Sequence, residues 1–159
     1  MGGGHSVQRV SYAGGGYGDR NSTLNEYSEG EEKKVFISHS MRDHAQAGLL
    51  AYQAENENFD VEFDDTSLQN PVRGRDWHPV VERKIKYSDV LVVMVGEDTA
   101  TRRAVDYEVR TAHKHGVPVI PVRIHRGKNH RLSKPIVQYG YEVSDWDTEE
   151  IQNRINMAS

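Results

Sequence analysis

Glu108 is the residue whose position most strongly suggests chemistry. In the stretch from residue 101 to 115, at about 100° per residue, Val105, Val109 and Ala112 share one helical face. Glu108 falls beside that stripe, near Ala104 and away from the outward arc of Asp106, Arg110 and His113. A carboxylate at the margin of a buried face is costly unless it is paired or put to use. Two readings follow from this placement: an ion bridge to Arg102, Arg103 or Lys84, or a carboxylate aimed at a bound ligand. A second set of polar residues, Ser38-His39-Ser40 with Asp43 and Gly96-Glu97-Asp98-Thr99, follows two apolar runs. Among these His39 could serve as an acid, a base or a stacking partner, or simply line a polar loop. Metal chemistry is not expected, because His113-x-His115 lacks the i, i+4 spacing of a helical metal pair. With no cysteine in the chain, thiolate catalysis, Cys-based zinc sites, iron–sulfur clusters and disulfides are excluded.

These residues need elements to hold them, and the pattern of strand and helix alternates. Val35-Phe36-Ile37 is a short apolar run bounded by charge and polar residues, which predicts a buried strand. Residues 41 to about 55 predict a helix, with Ala45, Leu49 and Tyr52 at helical spacing. Residues 59–63 alternate with period two, as a strand with one wet face does. After a polar loop, residues 75 to about 87 are helical and carry Trp77, Val80, Val81, Lys84 and Ile85, with Trp77 read as core rather than as a ligand stack. Val90 to Val95 is a central strand buried on both faces. Thr99 or Thr101 can cap the helix that carries Glu108, and Gly116 can end it. Residues 117–122 form another strand whose two prolines suit a place near an edge. A basic loop from 125 to 134, whose Arg126, Lys128, Arg131 and Lys134 with Arg123 are read as a solvated surface in preference to a contact for phosphate or a partner, precedes a short strand within 136–143. Residues 147–156 close the chain as a helix with Ile151 and Ile155 inward.

Strand alternating with helix implies an α/β fold whose parallel sheet is covered on both faces. Five such units give a flavodoxin-like, doubly wound sheet of order 2-1-3-4-5. Ligands of such sheets sit beyond the carboxyl ends of the strands where the order reverses, here between the first and third strands. The walls of that crevice are Ser38, His39, Ser40 and Asp43 on one side and Gly96, Glu97, Asp98 and Thr99 on the other. Both loops lead into helix N-termini, where free N–H groups favour anions such as phosphates. No P-loop and no glycine-rich dinucleotide turn follows the first strand. The carboxylates that would hold magnesium in a phospho-receiver are also missing there.

Composition bounds the rest. The 159 residues suffice for one domain, and 36% hydrophobic content is low for a chain folded throughout. Residues 1–32 carry Gly2, Gly3, Gly4, Gly14, Gly15, Gly16, Gly18 and Gly30 among polar residues and are read as a flexible tail. Residues 33–159 are read as the folded domain. A net charge of -4 gives no reason to expect nucleic-acid binding. The longest apolar run is too short to span a bilayer. Lack of cysteine fits a cytoplasmic protein.

The segment Lys34-Val35-Phe36-Ile37-Ser38-His39-Ser40 resembles the opening of the TIR-like domains of the Thoeris anti-phage family. Ser88 to Val95 followed by Val105-Asp106-Tyr107-Glu108-Val109 resembles their core, as do His115 to Val122 and Trp146 to Ile151. The likeness runs in order over about residues 33–157. It implies an enzyme that uses NAD+ as substrate, needs no further cofactor, and makes a signal nucleotide after loss of nicotinamide. It also implies self-association, a phage protein as trigger, and a separate effector reached through the signal. The family's essential glutamate falls on Glu108, with Ser38, His39, Ser40, Asp43, Asp98 and Thr99 lining the NAD+ pocket. One departure is Ala104, where relatives often carry an aromatic residue. The alternative is a non-catalytic sensing or assembly module on the same fold.

Overall fold

The computed structural model describes residues 33–55, 59–63 and 77–158. The glycine-rich stretch of residues 1–32 and the polar loop before residue 77 lie outside the described residues. Strand β1 (Lys33–Ser38) leads through a 3-10 turn (Met41–Asp43) into helix α1 (His44–Glu55). Then come β2 (Phe59–Phe63), α2 (Trp77–Lys86) and β3 (Val90–Val95). A second 3-10 turn (Thr99–Thr101) precedes α3 (Arg103–Lys114), followed by β4 (Val119–Arg123) and α4 (Lys134–Tyr139). A two-residue β5 (Ser144–Asp145) and α5 (Thr148–Met157) complete the domain.

The strands pair in the order β2-β1-β3-β4-β5 and every pairing is parallel. Four strands have five or six residues, while β5 is a short stub at the edge of β4. Asp89 fixes where β1 and β3 begin to pair. Its carboxylate accepts from the Lys34 N–H at 2.8 Å and its own N–H donates to the Lys34 carbonyl at 2.8 Å. All six residues of β3 are fully buried, which explains their unbroken apolar run. One face of the sheet packs Val35, Ile37, Val92 and Met94 against Ala47 and Leu50 of α1 and Ile151 and Ile155 of α5. The other packs Phe36, Leu91, Val93 and Val95 against Val81 and Ile85 of α2, Val105 and Val109 of α3, and Ile136 of α4. Each fully buried side chain of this size contributes about 1.5–3 kcal/mol relative to exposure.

Three expectations are corrected. On α1 the inward face is Ala47, Leu50 and Ala51, whereas Leu49 and Tyr52 are 50% and 66% exposed. That helix carries apolar residues on two faces, so periodicity alone cannot select the buried one. Residues 134–139 form a helix and not a strand, with Pro135 in its first turn and Gly140 at φ 70 ending it in the left-handed region. Strand character in this part of the chain is confined to Ser144–Asp145. Neither Thr99 nor Thr101 caps α3, because Thr99 opens a separate 3-10 turn and Arg102 occupies the cap position with no side-chain bond. Helix α3 does end before Gly116, whose φ is 69, and the Val117 N–H closes the end on the Ala112 carbonyl at 2.9 Å. Pro121 sits within β4, but β5 pairs only with Val122 and Arg123, leaving an outer edge where a missing N–H costs least.

Candidate functional site

The polar residues beyond the carboxyl ends of the strands fall on two faces of the sheet. On the α1 side, the 3-10 turn after β1 presses Asp43 against Gly96, the residue that follows β3. A Cβ placed on Gly96 would lie 2.1 Å from Asp43 Oδ2, so only glycine allows this approach. Asp43 is 2% exposed, and Oδ2 has no hydrogen-bond partner among the described residues. Burial, and then the nearby charge of Asp98, push the Asp43 carboxyl above the ordinary Asp value, against weaker opposing pulls from His125, Arg42 and His130.

Asp98 is held the other way. Burial raises it, but hydrogen bonds from Arg102 and Ser40 outweigh that, and its pKa ends below the ordinary value. Arg102 Nε donates to Asp98 Oδ2 at 3.0 Å and Nη2 donates to the same oxygen. Thr99 is fully buried and shapes the turn. Its hydroxyl accepts from the Gly96 N–H at 2.8 Å and donates to the Met94 carbonyl at 3.1 Å. The His39 and His44 rings meet through Nε2 and Nδ1 at 3.1 Å. An exposed ion pair between Arg42 and Glu97 at 3.1 Å ties the two loops across the crevice.

On the opposite face lies the helix that carries Glu108. Its carboxylate is 1% exposed, within the buried stripe of Val105, Val109 and Ala112. Ser38 shares this face: it pairs in register with Val93, and Phe36 and Val93 both pack on the α3 side. Ser38 is fully buried and its hydroxyl has no hydrogen-bond partner among the described residues. Such a group costs about 1–3 kcal/mol. Ala104, one turn before Glu108 on the same side of α3, is exposed and adds only a methyl group. Tyr107 stacks on His78 with ring centroids 4.3 Å apart and lies 5.3 Å from Trp77. Trp77 is partly buried against this core, at the margin rather than deep within it.

Of the residues singled out from sequence, Ser40, Asp43, Asp98 and Thr99 gather on the α1 side of the crevice, with His39 turned to His44. Ser38 and Glu108 lie on the α3 side. Two further histidines belong to the rim and were not anticipated. His125 and His130, in the loop after β4, stand close enough to Asp43 to act on its charge, and their rings meet edge to face at 5.3 Å. The hint in the sequence was only that this loop directly follows a strand, the place where such sheets collect functional residues. Among the described residues, no three His, Asp or Glu side chains come together as a metal site. No helix among them is long and apolar enough to cross a membrane.

A family model described as Thoeris protein ThsB, TIR-like domain, matches residues 36–129, more than half of the chain. This chain belongs to that family. The match runs from β1 through α3 to the basic loop and therefore includes Ser38, Glu108 and the crevice residues. No curated protein matches the ThsB-family chain in sequence. Among solved structures it is similar to the TIR domain of the Toll-related receptor TRR-2 from the lower metazoan Hydra magnipapillata. That likeness has 14% identity, covers 76% of this chain and 90% of the other, and has a TM-score of 0.54. It is also similar to the TIR domains of the activated Roq1 resistosome, which directly recognises the pathogen effector XopQ, at 18% identity over 58% of each chain and a TM-score of 0.45. The likeness to the Hydra domain concerns the fold: a parallel α/β sheet of the TIR type.

Proposed function

We propose that this ThsB-family domain cleaves NAD+ at the bond between nicotinamide and ribose, with Glu108 as the essential carboxylate. In this reaction the N-glycosidic bond breaks and nicotinamide leaves with the bonding pair. The ribosyl carbon passes through an oxocarbenium-like species and is captured by water, by a hydroxyl of the same molecule, or by another acceptor. A carboxylate beside the ribose holds its hydroxyls and stabilises the developing positive charge. NAD+ is then substrate, and no metal or separate cofactor enters the step.

The observation that carries this reading is the near-complete burial of Glu108 on the same sheet face as Ser38, whose buried hydroxyl has no partner among the described residues. Family membership supports it. Ser40, Asp43 and Asp98, with His39, line the rim toward the rest of the dinucleotide, and Thr99 keeps the turn that presents Asp98. The reading takes the sheet as flavodoxin-like and doubly wound, with Ser144–Asp145 as its fifth strand. It places the domain in the cytoplasm of a defended cell, triggered by a phage protein and acting on an effector through an ADP-ribose-derived signal. Mass spectrometry of NAD+ incubated with triggered protein tests it: nicotinamide release is expected from wild type and not from Glu108→Gln.

A second reading, a non-catalytic sensing or assembly module, draws on one observation. Leu49 and Tyr52 on α1 stay 50% and 66% exposed, opposite the helix's buried face. It predicts self-association and a biological activity that survives Glu108→Gln. Light scattering after size-exclusion chromatography, with and without NAD+, measures the first part. A monomer throughout counts against it.

A further inference from the structure

The loop between β4 and α4 is cationic, built, and placed at the rim of the crevice. Its base continues the ladder, since the Ile124 N–H donates to the Val95 carbonyl at 3.2 Å, beside the Gly96–Asp98 turn. Arg123 Nη1 donates to the His130 carbonyl at 3.1 Å and joins the two ends of the loop. Within it the Lys128 N–H returns to the His125 carbonyl at 3.1 Å, with Gly127 at φ 74. Arg126, Lys128 and Arg131 project from this frame and are exposed.

Charge bookkeeping at the rim leaves these cations unanswered. The sequence has no Asp or Glu from Val109 to Tyr141. Among the described residues, none of Arg123, Arg126, Lys128 and Arg131 forms an ion pair. The carboxylates of the turn after β3 are already compensated: Glu97 by Arg42 and Asp98 by Arg102. Asp43, buried against Gly96, is one carboxylate against these four loop cations. The rim is thus positive in a chain whose net charge is -4. Clustered cations concentrate anions there, and Arg in particular matches phosphate oxygens in pairs.

We propose that Arg126, Lys128 and Arg131 form an anion seat that takes the diphosphate of a nucleotide bound across the carboxyl edge of the sheet. The identity of that nucleotide rests on the NAD+ reading above, but the existence of the seat does not. Glu108 would act on the ribose end, and the loop would fix the phosphates and so set the register of the ligand.

The test is calorimetric titration of the full chain with ADP-ribose, with inorganic pyrophosphate and with nicotinamide riboside, which carries no phosphate. It compares wild type with the triple variant Arg126→Gln, Lys128→Gln, Arg131→Gln, whose exposed sites should leave the thermal midpoint unchanged. ADP-ribose and pyrophosphate affinity should fall about tenfold or more in the variant, as expected for loss of several charge-assisted contacts. The wild-type affinity should itself weaken as salt shortens the screening length to about 3 Å at 1 M. Nicotinamide riboside should bind wild type and variant alike. Equal affinities of the two proteins for pyrophosphate and ADP-ribose overturn the seat, as does a wild type that binds neither at millimolar concentration. A protein that binds both ligands through these residues but leaves NAD+ intact keeps the seat and sinks the NAD+ reading instead. One that cleaves NAD+ with the same KM in the triple variant sinks the seat alone.

Discussion

The two faces of the sheet end differently at its carboxyl edge. On the α1 side several polar groups hold one another, with Thr99 bridging Gly96 to Met94, Arg102 holding Asp98 and Arg42 meeting Glu97 across the gap, while Asp43 Oδ2 has no hydrogen-bond partner among the described residues. On the α3 side a glutamate is buried to 1% exposure inside an apolar stripe, and the last residue of β1 on the same face has a buried hydroxyl with no hydrogen-bond partner among the described residues. The first arrangement builds a rigid rim from polar residues that look reactive in sequence. The second keeps a carboxylate where packing alone would have selected a leucine or valine, a placement that structural pairs and working sites share. The proposed chemistry rests on the sparser side, while the richer cluster lines the rim.

The largest expected effect breaks the α1 side. Gly96→Ala drives a methyl group into the Asp43 carboxyl and should destabilise the domain by about 1–3 kcal/mol, the usual range for overpacking. Urea unfolding measures it, and adding Asp43→Ala should recover most of the loss. Failure to recover would mean that the contact between the loops is not what Gly96 protects. The corresponding change on the α3 side should be mild. Ser38→Ala removes a hydroxyl that has no partner among the described residues, so stability should stay level or rise by about 1 kcal/mol. A clear loss of stability instead would show that the hydroxyl is bound in the resting protein.

The smallest effect concerns pH and separates the two acids of the rim. Asp43 keeps its proton to higher pH when folded than when unfolded, so the folded state binds the extra proton above the ordinary Asp value of 3.8. Its contribution to stability is present below that value and is lost as pH rises through the folded pKa. Asp98 is depressed, so its contribution is present above 3.8 and is lost as pH falls through its folded pKa. Thermal midpoints across pH should therefore show Asp43→Asn departing from wild type above 3.8 and Asp98→Asn losing a stabilisation that wild type keeps there. The same direction of change in both variants would contradict the assigned environments.

Much of this division was beyond the reach of sequence. The buried run of β3 and the inward Ile151 and Ile155 were legible because their apolar patterns are strong and unambiguous. Glu108 was legible for the same reason, since a single carboxylate stands out against a clear helical stripe. The face of α1 was not, because Leu50 and Leu49 are equal candidates by periodicity and only tertiary packing distinguishes them. Helix α4 was missed although Pro135 and Gly140 mark its ends, because the Ile136-Val137 pair between them reads equally as strand. The split of the crevice residues was hidden altogether, since Ser38 and Ser40 would share a face in a continued strand and only the turn that begins after Ser38 separates them. For the basic loop the sequence offered both a solvated surface and a phosphate or partner contact, because charge alone does not show which neighbours a loop faces.

The central claim is that Glu108, on the α3 side, carries the reaction. Its most direct test is the initial rate of nicotinamide release from NAD+ by triggered wild type and Glu108→Gln at matched thermal stability. A fall of about 100-fold or more is expected in the variant, the scale on which loss of one preorganised electrostatic group acts. A Gln variant that releases nicotinamide at the wild-type rate, or a triggered wild type that leaves NAD+ untouched, would contradict it.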